Sequence, residues 1–90
     1  MLYQYDFNLM LDHLEKEGVH YYDLTEQVKE TLFEADAATG EYDEAAGMVV
    51  LRVRPLFSNF TYLLPVPAAA CRPVIGAVWA EDHYEKVYAH

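Results

Sequence analysis

Basic residues are scarce in this sequence. Six lysines and arginines stand against fifteen aspartates and glutamates, a formal net charge of −9 over 90 residues. Such a field repels free nucleic acid and anionic membrane and attracts basic surfaces. Nor is there a basic patch or a helix-turn-helix or RNP-type charge pattern, so direct nucleic-acid binding is not expected. Cysteine is scarcer still: Cys71 alone excludes an internal disulfide framework and fits a reducing compartment. The four isolated glycines form neither a phosphate-cradling P-loop nor a dinucleotide fingerprint. No apolar run approaches the ~18–20 residues that span a bilayer. The opening Met-Leu-Tyr-Gln-Tyr-Asp carries no basic stretch of a secretory signal, and the expected compartment is the cytoplasm.

What is present suffices for one domain, residues 1–90. The apolar fraction of 53% is slightly above the globular norm, so the chain can build a core. The spacing of Phe7, Met10, Leu11 and Leu14 predicts a helix over Asp6–Glu17. Asp6 is placed to cap it, Tyr5 and Met10 to staple its entry, and Gly18 to end it in the left-handed region. Tyr3 also falls on the stripe and would allow an earlier start. After the link Val19–Tyr22, Asp23 and Glu26 have capping-box spacing, and Leu24, Val28, Leu32 and Ala35 form the stripe of a second helix. The segment Ala37–Gly47, with two glycines and no apolar period, reads as a mobile loop.

The second half changes period. Met48–Arg54 alternates as a strand, with Val49, Leu51 and Val53 on one side and Val50, Arg52 and Arg54 on the other. Phe60–Leu64 reads as a second strand across the loop Pro55–Asn59, with Phe60, Tyr62 and Leu64 on one face. Pro65, Pro67 and Pro73 bracket a connecting loop. Val74–Ala80 reads as a third strand, and Tyr84–Tyr88 as a fourth or as a helical turn. Helices before strands imply an α+β domain with two N-terminal helices on one face of a three- or four-stranded antiparallel sheet.

The charge is unevenly placed. Residues 1–46 carry twelve acids against Lys16 and Lys29, a net −10, whereas residues 47–90 are +1. Glu26, Glu30 and Glu34 recur every fourth residue, so on a helix they form a near-axial row rising ~6 Å per step. The row continues through Asp36, Glu41, Asp43 and Glu44. Like charges at i, i+4 cost a few tenths of a kcal/mol per pair, so stability alone would favour interspersed lysines. The functional reading is a non-enzymatic interaction protein whose acidic face, edged by Tyr21 and Tyr22, binds a basic partner protein. Carboxylates at this spacing imitate a row of phosphates and would suit the groove of a nucleic-acid-binding protein. Phage-encoded blockers of nucleases and of CRISPR complexes are the concrete version of that mechanism. No motif matches a particular family, and the competing reading is a solvated face that confers solubility.

Other constellations are weaker. His13, His20, His83 and His90 lack the spacing of a structural zinc site, so no metal or other cofactor is expected. A small metal protein or enzyme using His13, His20, His83 or Cys71 is an alternative. Cys71 stands beside Arg72, and a neighbouring cation lowers a thiol pKa. Arg52 and Arg54 are expected to pair with the chain's own acids. A further alternative is a homo-oligomeric structural or accessory domain whose exposed sheet face or edge, with Tyr62, Trp79, Tyr84 and Tyr88, forms a two-fold interface.

Overall fold

The architecture is taken from a computed structural model and described for residues 1–75. Among these, five strands and two helices follow in the order β1 (Leu2–Tyr5), α1 (Phe7–Lys16), α2 (Glu26–Glu34), β2 (Thr39–Asp43), β3 (Met48–Val53), β4 (Tyr62–Val66) and β5 (Cys71–Pro73). Short 3₁₀ turns occupy Tyr21–Asp23 and Ala68–Ala70. The fold is α+β with one antiparallel sheet in the order β4-β3-β2-β1-β5.

The first helix forms as its sequence dictates. The Asp6 carboxylate accepts from the backbone N–H groups of Asn8 (2.8 Å) and Leu9 (3.3 Å), two donors that the first turn leaves unpaired. Tyr5 and Met10 are both buried, as the staple requires. At the far end Gly18 takes φ +77°. The N–H groups of Gly18 and Val19 then close onto the carbonyls of Glu15 and Leu14. That is the paired closure of a Schellman motif.

Elsewhere the structure corrects the expectations. Tyr3 does not extend α1: Leu2–Tyr5 is a strand paired with both β2 and β5. Thr25, not Asp23, caps α2, its hydroxyl accepting from Val28 N–H at 3.2 Å. Asp23 is instead held in the 3₁₀ turn. The segment 37–47 is not a loop but contains β2 and a tight turn into β3. In that turn Asp43 accepts from the N–H groups of Ala45 and Ala46, and Gly47 sits at φ +70°. The strand placed at Phe60–Leu64 lies two residues later and runs through Pro65. β4 is an edge strand, where a residue without an N–H costs no ladder bond on the open side. Cys71–Pro73, expected within a connecting loop, forms β5. Of the expected strand Val74–Ala80, Val74 and Ile75 follow β5 outside any strand. The rest of that strand and Tyr84–Tyr88 lie outside the described residues.

Register explains the core. Leu64, Leu51, Gly40 and Tyr3 stand opposite one another across four strands, and Val66–Val49 and Tyr62–Val53 flank them on the same face. Val49, Leu51, Val53 and Val66 are fully buried there. Each contributes roughly 1.5–3 kcal/mol by leaving water. Met10 and Leu14 of α1, with Leu32 of α2 and the adjoining Ala35, complete the cluster. The opposite face carries Leu2, Glu41, Val50, Arg52 and Leu63.

Two positions test this account. Gly40 lies in the row of large inward residues, where a Cβ would overlap the Val50 carbonyl and the Leu51 Cα. Gly40→Ala should therefore destabilise by about 1–3 kcal/mol or more in urea unfolding, where a glycine-to-alanine change without strain would gain ~0.4–1 kcal/mol. Tyr5 donates its hydroxyl to the Leu32 carbonyl at 2.9 Å. Tyr5→Phe keeps the ring but orphans that carbonyl, and should cost about 1–3 kcal/mol in the same measurement.

Candidate functional site

The acidic row expected from the sequence is divided by the fold. Glu26 and Glu30 line a shallow depression on α2 together with Tyr21, Lys29 and Phe33. Glu34 stands one turn further on, accepting a hydrogen bond from the Tyr62 hydroxyl at 2.9 Å. Burial and this carboxylate push the Tyr62 phenol up to about 12. Asp36 does not extend the row: it accepts from the Phe7 N–H at 3.0 Å, beside the Asp6 cap. Glu41, Asp43 and Glu44 line a separate hollow on the outer sheet face, shared with Leu2, Val50, Arg52 and Leu63. The structure therefore brings Glu26, Glu30 and Glu34 together and sets Glu41, Asp43 and Glu44 apart. Asp36 and Asp43 are committed to backbone N–H groups.

Aromatic rings frame the α2 depression. Phe7 meets Tyr21 edge to face at 5.7 Å and Phe33 at 5.4 Å, and Tyr21 meets Tyr22 at 5.5 Å. Tyr22 is 85% exposed and Phe33 65% exposed. Lys29 lies within 6 Å of both tyrosine rings and bridges to Glu26 at 2.8 Å. That bridge raises the Lys29 pKa, with burial opposing. The one lysine of α2 is thus occupied, leaving Glu30 and Glu34 without a cation in ion-pair contact among the described residues. Phe33 was not singled out by sequence reasoning. The signal was available, since a phenylalanine beside the inward stripe of an amphipathic helix must face outward.

The remaining candidates fall out differently. His13 is half-buried on α1 and His20 is exposed, while His83 and His90 lie outside the described residues. Among the described residues no three metal-ligating side chains converge. His20 shares a cleft of about 330 Å³ with Asp12, Glu15, Tyr21 and Tyr22. Cys71 contradicts the expectation drawn from its neighbour: burial pushes its thiol up to about 11. Arg72 does not activate it, because its guanidinium is turned to Asp6, with Nη2 2.7 Å from the carboxylate. Arg52 and Arg54 form no ion pair among the described residues, so the expected pairing with the chain's own acids is not seen. Tyr62 is half-buried, and the other members of the expected dimer surface, Trp79, Tyr84 and Tyr88, lie outside the described residues. No described helix is long and apolar enough to cross a membrane.

Comparison with protein-family models, with curated proteins and with solved structures gives no match, so this surface is read from its residues alone.

Asp6 gives a pH test of which acids serve the fold. The Arg72 hydrogen bond, helped by the N–H groups of Leu9 and Asn8 and opposed by burial, holds its carboxyl below the ordinary 3.8. A carboxyl lowered on folding stabilises the native state above its unfolded pKa and loses that contribution as pH falls through the folded value. Asp6→Asn keeps a capping oxygen but loses the charge. It should lower Tm at neutral pH, and the gap to the parent protein should close as the pH drops below about 4.

Proposed function

We propose that the protein binds a basic surface of a partner protein through α2 and the 3₁₀ turn before it. Exposed Tyr22 and Phe33 beside the Glu26–Glu30–Glu34 row carry the reading. Aromatic rings supply contact area, and carboxylates supply attraction and register. A solubilising face needs no large exposed rings, and an apolar docking face needs no row of like charges. The lysine that could have neutralised the row is engaged with Glu26 and the tyrosines.

The spacing of the row suits a groove that otherwise holds a nucleic-acid backbone. A nucleic-acid-binding protein inhibited by charge imitation, in the manner of phage-encoded and anti-CRISPR inhibitors, is the concrete form of the proposal. The hairpin acids Glu41, Asp43 and Glu44 belong to a different surface and are secondary here.

Capture of partners from the source cells at low salt, followed by elution along a salt gradient, identifies the ligand. Against that protein, replacing Glu26, Glu30 and Glu34 together by Gln should slow association by about tenfold or more. Tyr22→Ala with Phe33→Ala should chiefly speed dissociation. Binding that ignores both sets of changes and is insensitive to salt would sink the proposal.

A further inference from the structure

The loop joining β3 to β4, residues 54–61, carries the opposite surface character. Leu56 is 83% exposed, Phe60 61%, and Phe57 completely. Phe57 also holds φ +60°, a region that costs an aromatic residue of order 1 kcal/mol relative to glycine. Strain and exposed apolar area at one loop tip both work against the isolated fold. The loop begins at Arg54, and no acid occurs between Glu44 and Glu81.

We infer that this loop is a self-association surface and that its occupant is the α2 face of a second copy. The two patches are complementary. One presents Leu56, Phe57 and Phe60 beside Arg54. The other presents Tyr22 and Phe33 beside Glu30 and Glu34. They also share a border: the Phe60 ring lies 6.5 Å from that of Tyr62, whose hydroxyl is bonded to Glu34. Neighbouring patches of opposite character can be exchanged reciprocally about a two-fold axis, so that each copy gives its loop and receives its partner's.

The area is adequate. Three exposed side chains of this size offer on the order of 400 Å², given ~150–250 Å² for an aromatic ring. A loop and an α2 face from each copy then approach the ~800 Å² per partner of a standard interface. Net charge opposes the encounter at −9 per copy. That repulsion is largely screened beyond ~8 Å at physiological salt, whereas contact-range pairs persist. This inference does not depend on the proposed function, since it needs no other protein. The two would compete for α2, so a basic partner would displace the second copy.

Sedimentation velocity on the full chain tests it in about 150 mM salt, a regime where long-range repulsion is screened. With rising concentration the mass should move from 10.4 kDa toward twice that value. Phe57→Gly removes both ring and strain, so it should leave Tm unchanged or higher while weakening the dimer by about tenfold or more. Arg54→Glu and Glu30→Lys should each weaken it alone. An equimolar mixture of the two variants should associate again, because both contacts of the mixed dimer regain opposite charges. A parent protein that stays monomeric at the highest concentration overturns the inference. So does a dimer that ignores Phe57→Gly, or a mixture that fails to recover. Phe57-dependent co-sedimentation of monomeric protein with phosphatidylcholine–phosphatidylserine vesicles would assign the loop to lipid instead, and would also overturn it.

Discussion

The fold depends on Tyr5. Its backbone N–H donates to the Ala38 carbonyl, and its own carbonyl accepts from the Ala37 N–H. Its register partner on the other side is Cys71, which places β5. Its ring is buried, and its hydroxyl closes one of the carbonyls that the end of α2 leaves open. One residue thereby joins β1 to the chain on both sides and to the second helix. Desolvation, with Asp36 adding to it, pushes the phenol far above its ordinary value, so Tyr5 stays a neutral donor at any physiological pH. Its immediate neighbour Asp6 then starts α1, so the direction in which the helix leaves the sheet is fixed from the same point.

That junction explains what could and could not be read in advance. α1 was legible because four independent signals, cap, staple, stripe and terminal glycine, agree within the fourteen residues Tyr5–Gly18. β3 was legible because Val49, Leu51 and Val53 alternate with a basic opposite side. β1 was not: Tyr3 and Tyr5 have strand spacing, yet Tyr3 also continues the helical stripe through Phe7. The Asp6 cap discriminates between the two, since a helix cannot run through its own N-cap. β2 was invisible to hydrophobic pattern because Thr39–Asp43 contributes backbone rather than apolar side chains to the sheet. Its one buried residue is Gly40, whose missing side chain lets β3 approach. A strand held by hydrogen bonds on both edges needs no apolar period, so its sequence resembles a loop. For the site, the Glu26–Glu30–Glu34 row followed from spacing alone. The separation of Glu41, Asp43 and Glu44 did not, because it depends on β2 existing.

Once placed, the acids divide by task. Asp6, Asp36 and Asp43 each accept backbone N–H groups, two of them at the start of α1 and one in the β2–β3 turn. At Asp6 and Asp43 a short carboxylate folds back on its own neighbouring backbone, whereas Asp36 reaches across to Phe7 in the first turn of α1. The glutamates Glu26, Glu30 and Glu34 reach outward from a helix that Thr25 has already capped. A negative charge of this size is therefore two things at once, a set of local clamps and a surface field. Only the second is free to act on another molecule.

Among the described residues, two other than glycine adopt positive φ, Ala37 and Phe57, and comparing them separates folding from recognition. At Ala37 the strain is compensated, because the turn it makes brings its N–H onto the Tyr5 carbonyl and Ala38 onto the Ala35 carbonyl. Both contacts belong to the junction on which the sheet depends. At Phe57 no such contact is made among the described residues: the ring is in solvent, and a glycine would relieve the backbone while removing apolar area. The strain at Ala37 is thus accounted for within the monomer, whereas that at Phe57 points to a contact with another molecule. The chain places this apolar, cationic loop beside an aromatic, anionic helix and joins them through Tyr62 and Glu34. A charge of −9 per copy repels a second copy at long range but is largely screened beyond ~8 Å at physiological salt, so contact-range geometry would decide whether the two surfaces match.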